Sequence, residues 1–159
     1  MHRAILIAGC LVAGFVSHAR AADSDGTKPD DALTPGAVET TDLDIICRHS
    51  TKERRHTTQA TKNQSFTRYG LPSHTSGWCS GEVGCSVDHR VPLECGGADV
   101  PANLWPEKGS GAFNQEDKNR LEGLCHKLVC GKQITPEEGQ GWFLGDWTAE
   151  YRKRFGEPE

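Results

Sequence analysis

Residues 87–105, VDHRVPLECGGADVPANLW, combine β-favouring pieces, turn residues and two adjacent titratable side chains. The pieces around Val87 and Val91-Pro92-Leu93 are short, and Gly96-Gly97 interrupts them, which predicts a small β-ribbon. Asp88 and His89 stand side by side in it. Because side chains alternate along a strand, these two can address one substrate only if the chain bends. The proline and the glycines give the chain that freedom.

Two helices are expected after the ribbon, so the predicted fold class is α+β. Asn114 is a suitable N-cap for the first, and Gly131 can end it. Its apolar positions have helical spacing: Leu121, Leu124, Cys125, Leu128 and Val129. Thr135-Pro136 opens the second, in which aromatic residues recur every four positions before Gly156 and are expected to pack in the core. They are Phe143, Trp147, Tyr151 and Phe155.

The first residues indicate export. An apolar run follows His2-Arg3 and is too short for a membrane span, and Ala19-Arg20-Ala21 has the small residues of a cleavage site. We therefore expect residues 1–21 to be a signal peptide, and a periplasmic or secreted protein without a membrane span. A lipoprotein-type modification at Cys10 is the alternative.

Charge divides the next part of the chain. Residues 22–44 contain seven acidic residues and few large apolar ones, which predicts a flexible acidic leader before a domain at 45–159. Residues 45–75 are basic, with Glu53 as the single acid. This asymmetry indicates a polyanionic partner more directly than the net charge of −4 does, although a solvated basic face is the simpler interpretation. The basic residues are Arg48, Lys52, Arg54, Arg55, Lys62 and Arg68.

Cysteine usage agrees with export. Removal of Cys10 leaves six cysteines, and none of their spacings is the C-x-x-C of a zinc ribbon. In an oxidising compartment this predicts three disulfides, with fifteen possible connectivities and zinc binding as the alternative. The six are Cys47, Cys79, Cys85, Cys95, Cys125 and Cys130.

The order of motifs resembles the HNH nuclease family, whose fold is called ββα-metal. DHRVPLECGG, NLWPE and NQEDKNRLEGLCH stand in sequence over residues 87–126, and the basic segment ending in RYG resembles the region before this motif in some exported bacterial members. The resemblance covers roughly Cys47 to the C-terminus. It implies a small ββα-metal core with additional helices, stabilised here by disulfides in place of the zinc-binding cysteine pairs of many members.

The resemblance also implies roles for individual residues. His89 matches the general base that activates water, and Asp88 matches the metal-binding residue before it. Asn103 matches the middle asparagine, which ties the loop together and helps orient the histidine. The last metal ligand is a histidine or asparagine at the start of the helix. Asn114 fits this position best, and Asn119 and His126 compete with it.

The function implied is an exported endonuclease that uses a divalent metal ion, Mg²⁺ first among the candidates, to hydrolyse phosphodiester bonds of nucleic acid. DNA is expected ahead of RNA as the substrate, although the residues themselves do not distinguish the two. Little sequence specificity is expected, because the six basic residues offer backbone contacts and nothing resembles a base-reading module. Two alternatives remain: a non-catalytic nucleic-acid-binding module on the same scaffold, and a structural disulfide-rich domain. An inhibitor protein is left open as a further partner.

Overall fold

The computed structural model describes residues 25–159. The predicted signal peptide and Cys10 lie outside the described residues. The described part is of the α+β class, as the sequence predicts. Its helices are α1 (Leu43–Arg48), α2 (Thr51–Arg54), α3 (Gln59–Arg68), α4 (Gln115–Cys130), α5 (Pro136–Leu144) and α6 (Trp147–Phe155), and its strands are β1 (Cys85–His89) and β2 (Leu104–Lys108). No helix between residues 25 and 159 is long and apolar enough to cross a membrane.

The two strands form an antiparallel pair in which Cys85 faces Lys108 and His89 faces Leu104. Strand β1 lies where a β-favouring piece is expected, but Val91-Pro92-Leu93 is not a strand. Leu93–Cys95 forms a 3₁₀ turn instead. The Asn103 side chain binds both backbone groups of Val91, which removes them from any strand pairing.

Helix α4 confirms the prediction from periodicity. Asn114 caps it through a capping box with Asp117, and the chain turns away at Gly131. The face with Leu121, Cys125 and Val129 is buried. This face packs against the turn after β1 and against α1, so α4 lies directly behind the end of the strand.

The second predicted helix is two helices. Helix α5 ends at Leu144, and Asp146 caps α6 by accepting hydrogen bonds from the backbone of Thr148 and Ala149. Gly145 lets the chain turn between them, and a capping aspartate favours a new start over continuation. The expected core role of the aromatic stripe is confirmed for Phe143, Trp147 and Tyr151, which are buried, whereas Phe155 is partly buried.

The acidic segment is packed against the domain from residue 25 onward, in contrast to the flexible leader that its composition predicts. Thr34 is fully buried, and the Thr34 carbonyl accepts a hydrogen bond from Arg90. Val38 forms a β-bridge with Gly97, and the Gly36 N–H donates to the carbonyl of Ala102. A prediction of flexibility from composition considers only the apolar surface that a segment can bury. This segment is held instead largely by backbone hydrogen bonds to the loop that follows β1.

Two of the cysteine pairs are bonded. Cys47–Cys130 joins α1 to the end of α4 across 83 residues, and Cys79–Cys85 closes a short loop before β1. Cys95 and Cys125 are buried thiols in hydrogen-bond contact with each other. The predicted third disulfide therefore has its partners in place but is not formed in this structure.

Candidate active site

Asp88 and His89 are the last two residues of β1, and both line one small pocket of about 50 Å³. The strand period alone would point them to opposite faces. The chain leaves the strand after His89, where the Arg90 N–H still donates to the Asn103 carbonyl at 2.7 Å. The backbone bends at Arg90 and Val91, so the bend that the sequence requires is present directly after the strand. The pocket is lined by Thr51, Arg55, Asp88, His89, Pro92, Leu93, Glu94 and Glu122.

The His89 imidazole is buried and held from one side. Its Nε2 lies 2.7 Å from Asp99 Oδ1, and its Nδ1 lies 4.0 Å from Asp88 Oδ1. Burial lowers the pKa of His89 below its ordinary value, although hydrogen bonding to Asp99 and the charges of Asp88 and Asp99 oppose this shift. The ring is therefore neutral at neutral pH and can accept a proton.

Asp99, which contacts His89, is a site residue that the sequence analysis missed. Its side chain is 4% exposed, and it also accepts hydrogen bonds from the His56 backbone N–H and the Thr57 hydroxyl. Burial acts to raise the pKa of Asp99, but the hydrogen bonds from Thr57, His89 and His56 lower it to about 2. No sequence pattern marks this residue, because His56 and Thr57, which donate to it, lie more than 40 residues upstream.

Asp88 is held by a buried lysine. Lys118 is 1% exposed, and its Nζ lies 2.6 Å from Asp88 Oδ2 and 2.8 Å from the His89 carbonyl oxygen. It also contacts Glu122 Oε1, one turn along α4. Burial acts to raise the pKa of Asp88, but Lys118 lowers it below its ordinary value. Conversely, the pKa of Lys118 is raised well above its ordinary range, because the surrounding carboxylates outweigh burial.

Lys118 and Glu122 were also missed as site residues, but the sequence does contain a signal for the lysine. Lys118 lies three residues before Leu121 and therefore on the apolar face of α4. A lysine on such a face needs an anionic partner.

Burial raises the pKa of Glu122 to about 8 despite the opposing Lys118. Glu107 of β2 is fully buried nearby, and its pKa is raised well above the ordinary value, first by burial.

Asn103 is buried, and its side chain forms hydrogen bonds with the backbone of the loop after β1. Its Oδ1 accepts hydrogen bonds from the N–H groups of Val91 at 2.9 Å and Ala37 at 3.2 Å. Its Nδ2 donates to the carbonyls of Val91 at 2.9 Å and Ala98 at 2.8 Å. These four bonds fix the chain on both sides of the turn after β1.

Asn114 lies at the start of α4, as expected, and acts there as its N-cap. Its Oδ1 accepts hydrogen bonds from the N–H groups of Glu116 at 2.7 Å and Asp117 at 3.3 Å. Lys118, one turn later, is the α4 residue in contact with Asp88. The competing residues lie elsewhere, because Asn119 is exposed and His126 contacts the Ile46 carbonyl. The identity of the last metal ligand stays a prediction.

The basic residues divide by what they touch. Arg54 contacts the Leu93 carbonyl and pairs with Glu39, and Arg68 donates to the Leu104 carbonyl at 2.9 Å, so both serve the fold. Arg48 pairs with Asp44 on the surface.

Arg55, in contrast, is exposed and lines the pocket beside His89, whose pKa its charge helps to lower. Lys52 and Lys62 are exposed on the same basic segment, at the surface of α2 and α3. Of the six basic residues, Arg55 is the one that the fold brings to Asp88 and His89.

The pocket offers oxygen donors for a hard cation. Between residues 25 and 159, no three histidine, cysteine, aspartate or glutamate side chains form a ready-made metal cluster. Magnesium, however, usually takes one or two protein carboxylates and completes its shell with water and substrate phosphate. The carboxylates of Asp88, Glu94 and Glu122 on the pocket wall fit that chemistry.

Comparisons with protein-family models, with curated proteins and with solved structures find no match for this chain. The family resemblance therefore rests on the motifs of residues 87–126.

Proposed function

We propose that this chain is an exported, HNH-type metal-dependent endonuclease that hydrolyses phosphodiester bonds of DNA with little sequence specificity. The observation that carries the proposal is the meeting of Asp88 and His89 at one pocket, beside the exposed cation of Arg55. The order of β1, β2 and α4 supports it, because a ββα-metal core has two antiparallel strands followed by a helix.

His89 has the properties of the base. It is neutral at neutral pH and held in a fixed orientation, so it can take the proton from an attacking water. The Arg55 guanidinium supplies a phosphate contact at the pocket without reading bases. Asn103 holds the loop that forms the pocket wall.

Asp88 is the residue assigned to hold the divalent ion, with Asn114 as the second ligand that the resemblance implies. The bound ion supplies positive charge against the charge that develops on the phosphate and on the leaving 3′ oxygen. Lys118 keeps Asp88 ionised and in place. Cleavage on this scheme leaves 5′-phosphate and 3′-hydroxyl ends.

The test is cleavage of plasmid DNA by the purified protein in Mg²⁺. We expect His89→Ala to lower the rate at least about 100-fold, since general-base catalysis contributes on the order of 10²–10⁴. EDTA is expected to abolish cleavage. His74→Ala is the matched control, because His74 is exposed and does not line the pocket. Undiminished cleavage by His89→Ala would remove His89 as the base.

A second candidate function is a non-catalytic DNA-binding module. The observation that favours it is the buried Lys118–Asp88 pair, which neutralises Asp88 without a metal. Such a protein binds DNA in a salt-sensitive manner and leaves it intact with Mg²⁺, Mn²⁺, Ca²⁺ or Ni²⁺. A cleavage panel across these metals, on DNA and RNA substrates, separates the two functions.

A further inference from the structure

We propose that Asp99 is a positioning residue that sets the tautomer of His89 and, through His56 and Thr57, holds Arg55 at the pocket. The inference rests on the proposed function and assigns a role to a carboxylate that the resemblance does not include.

The first step concerns which ring nitrogen carries hydrogen. The Asp99 carboxylate accepts hydrogen bonds from three directions, and its Oδ1 lies 2.7 Å from His89 Nε2. A carboxylate that accepts from the ring places the hydrogen on Nε2. The neutral ring then has an unprotonated Nδ1, which is the nitrogen on the side of Asp88. Asp99 thus aims the accepting nitrogen toward the predicted metal ligand.

The second step concerns the basic segment. The His56 N–H donates to Asp99 Oδ2 and the Thr57 hydroxyl donates to Oδ1. These two residues follow Arg55, which is the C-cap of α2 and lines the pocket. One buried carboxylate therefore fixes both the base and the chain that carries the candidate phosphate contact. The loop after β1 and the basic segment are joined at this point, through residues more than 40 positions apart in sequence.

Asp99→Asn tests the tautomer with little change in size. A backbone N–H can only donate, so His56 requires the amide oxygen of the asparagine at the Oδ2 position. The amide NH₂ group then faces His89 Nε2 and donates to it, which moves the ring hydrogen to Nδ1. We expect ¹⁵N NMR of the wild-type histidines to show His89 protonated on Nε2, and the variant to show it protonated on Nδ1. We expect kcat to fall about 100-fold, as for loss of a general base.

The link to Arg55 is tested by a double-mutant cycle. Arg55→Ala is expected to raise KM in the wild-type background, and to raise it less in an Asp99→Ala background, because Arg55 is then already misplaced. Glu137→Gln is the matched control for loss of a carboxylate charge, since Glu137 is exposed on α5 and outside the pocket. Circular dichroism and denaturant unfolding identify variants that fail to fold.

The outcomes separate the two proposals. Wild-type protein that cuts no substrate with any metal overturns the proposed function, while the NMR comparison still decides the tautomer. Cleavage by Asp99→Asn at the wild-type rate, or an unchanged His89 tautomer in that variant, overturns the role of Asp99 in positioning the base. Additive effects of Asp99→Ala and Arg55→Ala on KM overturn the link to the basic segment.

Discussion

Asp88 and His89 are adjacent in the chain, but different parts of the molecule hold them. On the helix side, Lys118 and Glu122 of α4 surround Asp88, and they lie four residues apart on one element. On the loop side, Asp99 holds His89 and is itself held by the distant His56 and Thr57. The helix side is fixed as soon as α4 packs on the core, whereas the loop side depends on two irregular segments meeting. We therefore expect the helix side to govern stability and the loop side to govern activity.

The largest expected effect comes from removing the cation of the helix side. Lys118→Met leaves the ionised, largely buried Asp88 without its counter-charge, and such a loss typically costs about 3–5 kcal/mol. Denaturant unfolding measures the change, with Lys127→Met as the control, because Lys127 is exposed on the same helix. A cost below about 1 kcal/mol would show that the helix side does not govern stability.

The next effect concerns Cys95 and Cys125, which lie between the two sides, one in the turn after β1 and the other on α4. We expect this pair to be oxidised in the exported protein, with two protons and two electrons passing to a cellular disulfide oxidant. A bridge over 30 residues contributes about 3.6 kcal/mol in the chain-entropy account. Hydrogen bonding to Cys125, together with burial, raises the pKa of the Cys95 thiol, so oxidation is expected during folding, before burial.

Thiol counting on the denatured, unreduced protein checks the third bridge, and the expected count is zero for the chain without Cys10. A Cys95→Ser/Cys125→Ser variant is expected to unfold at lower denaturant than the wild type. Two reactive thiols in protein purified from an oxidising compartment would contradict the prediction.

The last prediction concerns pH dependence, in which the two sides have opposite signs. Asp99 has a folded pKa of about 2, below its ordinary value of 3.8, so its contribution to stability is present above pH 3.8 and is lost as pH falls toward 2. Glu122 has a folded pKa of about 8, above its ordinary value of 4.5, so stability falls as pH rises from 4.5 toward 8.

Unfolding free energies measured from pH 2 to 9 test these signs. Asp99→Asn is expected to reduce the acid loss, and Glu122→Gln is expected to reduce the alkaline loss. Each group changes stability by at most about 1.4 kcal/mol per pH unit. If the unfolding free energies of both variants change with pH as steeply as that of the wild type, the pH dependence comes from other groups.

The parts that could be predicted from sequence are the local ones. Helix α4 follows from its apolar period and its Asn114 cap, and β1 follows from the β-favouring residues around Val87. The joint presence of Asp88 and His89 at one pocket required only the bend that Pro92 and the glycines permit. The break between α5 and α6 was missed because the four-residue aromatic spacing continues across Gly145 and Asp146.

The sequence by itself determined the α+β class, a strand around Val87, the capped helix behind it and the basic segment before it. Only the tertiary structure decided which groups the charged side chains contact. It paired Asp88 with Lys118, bound His89 to Asp99, used Arg54 and Arg68 inside the fold, and packed the acidic segment on the loop after β1. The physical reason is that hydrophobic period and capping act over a few residues. Buried charges, in contrast, are satisfied by whichever distant donors and acceptors the packed chain brings within 3 Å.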